Sequence, residues 1–116
     1  MDKEKVFDMS IGKVYPLLIA KAKRKGRAKE EVDRVTCWLT GYSEEKLSEL
    51  IERGISYRQF FEEAPCINPN ANMITGVICG IRVELIEDPL MQKIRYLDKL
   101  VDELAKGKDI EKILRN

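Results

Sequence analysis

A chain of 116 residues, 44% hydrophobic and 35% charged, is long enough for one domain with its own core and too apolar for disorder. A net charge of +1 gives no general attraction to a polyanion, and the absence of histidine excludes histidine general bases and His–Cys zinc sites. Cys37, Cys66 and Cys79 are odd in number and far apart, so neither a disulfide framework nor a Cys-x-x-Cys metal knuckle is present.

Residues 1–10, MDKEKVFDMS, lack the apolar core of a secretory signal, and no run approaches the roughly eighteen apolar residues of a membrane span. The expected location is cytoplasmic. The first eight residues read as a loose polar tail. Val6, Phe7, Met9 and Ile11 then fall close together, as a docked extended arm or the approach to a first helix. Ser10 can cap that helix, which carries Val14, Leu17, Leu18 and Ala22 on one face. Pro16 is the difficulty, since an interior proline costs roughly 3 kcal/mol. The helix is therefore read from near Tyr15 to a stop at Gly26.

A second helix spans Lys29–Thr40 and stops at Gly41; a third, capped by Ser43, spans Glu44–Arg53 and stops at Gly54. Ser56 with Gln59 forms a capping box ahead of a short fourth helix, Tyr57–Glu63, closed by Pro65. Residues 66–72, CINPNAN, are a loop by their turn formers. Ile74–Glu87 is ambiguous. Its β-branched residues favour a strand, but Ile74, Val77, Ile78, Ile81 and Leu85 fall on one side of a helical wheel, and helix is the preferred reading. From Asp88 to Gly107 the pattern is clear: Asp88 caps, Pro89 takes the first helical position, and Leu90, Ile94, Leu97, Val101 and Leu104 make one apolar stripe. Asp109 caps a last turn or two carrying Ile110, Ile113 and Leu114.

The expected fold is all-α, a compact single-domain bundle of five or six helices over residues 1–116. The alternative is α+β, with a small two-stranded element pairing 6–11 with 77–86. The phrases GKVYPLLIAKAKRKGRAKEEVDRVTCWLTGY, ITGVICGIRVELIEDPLMQKIRYLDKLVDELAKGK and EKILRN resemble a family of small prokaryotic proteins known as domain of unknown function 2200. The resemblance covers nearly the whole chain and implies a stand-alone bacterial-type domain; it brings no activity, ligand or catalytic residue. The family tends to have threonine where this chain has Ala28, and that departure removes a capping box with Glu31 worth about 1 kcal/mol.

Charge is unevenly spread: residues 1–41 carry ten Lys/Arg against six Asp/Glu, residues 42–70 three against six, and the rest eight against eight. Lys21, Lys23, Arg24, Lys25, Arg27 and Lys29 are a candidate phosphate-backbone patch, or simply a solvated helix end where cations suit the dipole. The pair Lys29–Thr40 and Glu44–Arg53 has helix-turn-helix dimensions, but its second helix carries four glutamates against one lysine and one arginine and would be repelled by DNA. Arg82 and Glu84 are the only charges within an apolar run; they are a structural salt bridge or, with Asn68 and Asn72 of the loop and Tyr96, a small-ligand site. The cysteines read as small buried hydrophobes.

Nothing in the pattern implies a cofactor or a metal. The leading reading is a protein-interaction or self-associating module using the 90–104 stripe. The alternatives are a weak nucleic-acid binder using 21–29, and a small enzyme or ligand binder around Arg82. The enzyme reading has least support, because no titratable pair has diagnostic spacing.

Overall fold

The computed structural model describes residues 3–115. Among them the chain forms seven α-helices: α1 Lys3–Phe7, α2 Ile11–Lys23, α3 Lys29–Thr40, α4 Glu44–Arg53, α5 Tyr57–Glu62, α6 Pro89–Ala105 and α7 Ile110–Ile113. A two-stranded hairpin, β1 Val77–Ile78 and β2 Ile81–Arg82, lies between 3-10 turns at Pro69–Met73 and Val83–Leu85. The all-α reading stands, with a small β element added.

The helix α6 lies at the centre. It packs on α1, α2, α3, α5, α7 and the hairpin, and Leu97, Leu100, Val101 and Leu104 are each 0% exposed. Its start is as the sequence dictates: Asp88 Oδ1 accepts from the Met91 N–H at 2.9 Å, with Pro89 in the first turn. The bounds of α3 and α4 are also as read, each closed by a glycine in the left-handed region, Gly41 at φ 81° and Gly54 at φ 66°. At Gly41 a side chain would also collide with the backbone of Cys66, 2.9 Å from where its Cβ would lie. In α3, Glu31 accepts from the Ala28 N–H at 3.2 Å, so half the capping box survives; Ala28 has no oxygen to supply the other half.

Three expectations need correcting. Residues 74–87 are not a helix. Gly76 at φ 111°, Cys79 at φ 52° and Gly80 at φ 79° put three of five consecutive residues at positive φ, which no right-handed α-helix allows. Nor does 6–11 pair with 77–86: β1 pairs with β2, Val77 opposite Arg82 and Ile78 opposite Ile81, while residue 10 bridges to Ser56. Finally, α2 begins at Ile11, four residues before Tyr15. Ser10 Oγ accepts from the Gly12 N–H at 3.2 Å, and the tertiary burial of Ile11, Val14, Tyr15 and Leu18 holds a helix that tolerates Pro16.

Of the stretch read as a tail, Lys3–Phe7 is α1, and Val6 and Phe7 are buried; Met1 and Asp2 lie outside the described residues. Arg58 fixes α1 to α5, with its guanidinium paired to Glu4 and 5.1 Å from the centre of the Phe7 ring.

Two stability outcomes follow. Leu97 is fully buried, so Leu97→Ala leaves a cavity in the core and should cost about 2–5 kcal/mol. The loss should not vary over about a hundredfold range of protein concentration, because the stripe is internal rather than a seam between copies. Ala28→Thr restores the missing capping oxygen and should stabilise the domain by about 0.5–2 kcal/mol in chemical denaturation.

Candidate functional site

The residues singled out in sequence do not assemble into one site. Arg82 is exposed on the hairpin and pairs with Glu84, Nε to Oε2 at 2.7 Å. Glu84 also accepts from the Gly76 N–H at 3.0 Å, so this pair closes the hairpin and is structural. Asn68 caps the 3-10 turn, accepting from the Asn70 N–H at 2.9 Å, and donates to the Trp38 carbonyl at 3.3 Å; its partners lie on α3 and in its own turn. Asn72 is exposed. Tyr96 is buried within α6, where burial raises its phenol pKa.

The basic run is divided. Lys21 pairs with Asp102 at 3.3 Å and Lys29 with Asp33 at 2.7 Å. Arg27 pairs with Glu31 at 2.6 Å and donates to the carbonyls of Leu104 and Lys108, tying α3 to the end of α6. Lys23, Arg24 and Lys25 are exposed. Arg27 and Glu31 also border an open cleft of about 400 Å³ with Asp109, Ile110 and Glu111, but that arginine is already satisfied.

A second cavity, of about 220 Å³, combines an apolar wall with converging polar groups. Val6 and Met9 supply one side, Val14 and Ile94 another, and Tyr57, Arg95 and Asp98 the polar part. Each wall is positioned by local rules. Ser56 caps α5, accepting from the Gln59 N–H at 3.1 Å, although the Gln59 side chain turns to Glu63 rather than completing the box. The Tyr57 N–H donates to the Met9 carbonyl at 2.9 Å and the Ile11 N–H to the Ile55 carbonyl at 2.7 Å, so the approach to α2 and the start of α5 are zipped together. Arg95 and Asp98, three residues apart on α6, pair at 2.9 Å with 18% of each side chain exposed.

Burial raises the pKa of Asp98, against the lowering effect of Arg95. Burial raises the Tyr57 phenol too, and the charge of Asp98 adds to it. Tyr57 is 3% exposed, yet its hydroxyl forms no hydrogen bond with any described residue. The contrast is with Tyr15, whose hydroxyl donates to Asp33 at 2.7 Å, and Tyr42, whose hydroxyl donates to the Phe60 carbonyl at 2.6 Å. Tyr96 also forms none, but it lines neither cavity. Arg95 reaches a further neighbour, the sulfur of Cys79, 3.5 Å from Nη1. Cys79 is the one non-glycine among the described residues with positive φ, at 52°, and occupies the first position of the hairpin turn, where asparagine or glycine is usual.

Sequence reasoning missed this cavity because Tyr57 joins Arg95 and Asp98 only through the packing of α5 on α6. One signal was present: Arg95 and Asp98 interleave with Ile94, Leu97 and Val101 along the apolar stripe. Among the described residues no group of three or more Cys, Asp or Glu is placed to hold a metal ion, and no helix is long and apolar enough to cross a membrane.

The family model for an uncharacterized protein conserved in bacteria, DUF2200, matches residues 5–115. The chain belongs to this family. Among solved structures it is similar to the crystal structure of uncharacterized protein SP1917, at 49% identity and a TM-score of 0.92, covering 97% of this chain and 93% of that one. No curated protein matches. Family membership therefore brings the fold and no activity.

Glu84 offers a direct check on the hairpin. The Gly76 N–H first, and Arg82 second, hold its carboxyl at about 2. A depressed carboxyl pKa contributes stability above its unfolded value, and that contribution is lost as pH falls towards the folded one. Carbon-detected NMR titration should place Glu84 near 2, and Arg82→Ala should move it only part of the way back, because the Gly76 bond is the larger cause.

Proposed function

We propose that this domain binds a small molecule in the cavity between α1, α2, α5 and α6. The observation that carries the reading is Arg95 Nε, a buried donor with no partner among the described residues, in a cavity it shares with the unbonded hydroxyl of Tyr57 and the carboxylate of Asp98. A buried polar group left unpaired costs about 1–3 kcal/mol, so Arg95 Nε is a cost without a structural return. A ligand accepting from that donor would offset the cost. The raised pKa values of Asp98 and Tyr57 in a concave, largely apolar site add to this.

The interaction-module reading rested on the α6 stripe, and with Leu97 and Val101 each 0% exposed it loses that support. Exposed apolar side chains remain for it, among them Val77, Ile81 and Leu85 around the hairpin and Leu17 on α2. The nucleic-acid reading keeps only Lys23, Arg24 and Lys25. A cytoplasmic location suits three free cysteines in a chain without disulfides.

Paired conservative substitutions test the proposal. Tyr57→Phe should leave the free domain about as stable as wild type, because its hydroxyl bonds to no described residue and is not sealed from solvent. Tyr42→Phe should destabilise it, because it strips the Phe60 carbonyl of its donor. Equal destabilisation by both would mean the Tyr57 hydroxyl serves the fold, and the ligand reading would fail.

A further inference from the structure

Resting on that reading, we infer that the cavity takes a small neutral molecule presenting an amide edge, a carbonyl beside an N–H, rather than an anion or a cation. The first constraint is size. A cavity of about 220 Å³ lies below the roughly 300–1,000 Å³ of sites that take drug-sized ligands. That suits one six-membered ring with a single substituent, and it is too small for a nucleotide or a large cofactor.

Charge is the second constraint. Arg95 and Asp98 both line the cavity and pair at 2.9 Å, so its polar end is dipolar with no net charge. A carboxylate drawn to Arg95 would sit beside Asp98, and an ammonium drawn to Asp98 would sit beside Arg95. With each side chain 18% exposed, the like-charge contact is poorly screened and the ligand's own desolvation is not recovered.

The third constraint is the set of hydrogen-bonding positions left unused. Arg95 spends only Nη1, on Asp98 and Cys79. Asp98 spends only Oδ2 on Arg95, and the Tyr57 hydroxyl spends nothing on any described residue. Donors from Arg95 and Tyr57 and an acceptor on Asp98 therefore stand free in one small site. An amide edge fits this set: its carbonyl accepts from Arg95 or Tyr57 while its N–H donates to Asp98. The apolar body then rests against Val6, Val14 and Ile94.

Three probes of nearly equal shape separate the possibilities: benzamide, benzoate and benzylamine. Each is titrated into the full chain at neutral pH and followed by amide chemical shifts of residues 56–58 and 94–98. Benzamide should bind about tenfold more tightly than either charged probe. Tyr57→Phe should weaken it several-fold. Asp98→Asn should improve benzoate relative to benzamide, since it removes the like charge and leaves Arg95. Tighter binding of benzoate or benzylamine to the wild-type chain would overturn the neutral-ligand inference while leaving the cavity as a binding site. No shift at these residues with any probe would overturn both. Shifts confined to other surfaces would likewise overturn both.

Discussion

Everything in this domain depends on enclosing α6. A helix with Met91, Ile94, Leu97, Leu100, Val101 and Leu104 all buried has apolar surface over more of its circumference than one partner can cover. The chain solves this by wrapping: α2 and α3 lie against it, α5 and α1 close another side, and the hairpin and α7 cover the rest. Polar ties then fix the wrapping. Asp102 receives Lys21 from α2 and Lys106 from its own last turn. Glu103, with 9% of its side chain exposed, receives Arg115 at 2.7 Å, and that guanidinium also donates to the Met73 carbonyl. These charges are placed where α6 meets its neighbours, so they select one packing among several apolar ones.

The same enclosure creates the cavity. On the side of α1 and α5 the stripe gives way to Arg95 and Asp98, whose side chains are too polar to be sealed by Val6, Met9 and Val14. The gap that results is largely apolar-walled and dipolar. Two backbone zippers, Met9 to Tyr57 and Ile55 to Ile11, keep its walls at fixed spacing, and the Arg58–Phe7 contact holds the short helix that forms one edge. The site is thus a by-product of how the N-terminal segment is secured, which is why no motif announces it.

Where capping residues and glycine stops coincide with a 3.6-residue period, the sequence is legible to the residue, as for Lys29–Thr40 and Glu44–Arg53. The hairpin was misread because its signals conflict. Val77-Ile78 and Ile81-Arg82 flank two residues, the length of a tight hairpin turn, but Cys79 stands where asparagine normally marks it. Ile74, Val77, Ile78, Ile81 and Leu85 also share one side of a helical wheel, although only Ile74 and Ile78 of these are buried. Pro16 misled in the other direction, since local cost gave way to tertiary burial. The candidate site was illegible for a different reason. Arg95 and Asp98 are neighbours on one helix, but Tyr57 reaches them across about forty residues of chain that no local pattern spans.

The Cys79–Arg95 contact gives the hairpin and the cavity a shared component. Arg95 is at once part of the cavity wall and the neighbour of the sulfur at the tip of the turn, 3.5 Å away. Two sites that lean on one side chain are thermodynamically linked, and linkage is reciprocal: whatever free energy an occupant of the cavity contributes to one placement of Arg95, a change at the turn returns in equal measure to the occupant. For the ligand proposed above, the strained residue at the hairpin tip would therefore be a place from which affinity is altered without touching the cavity.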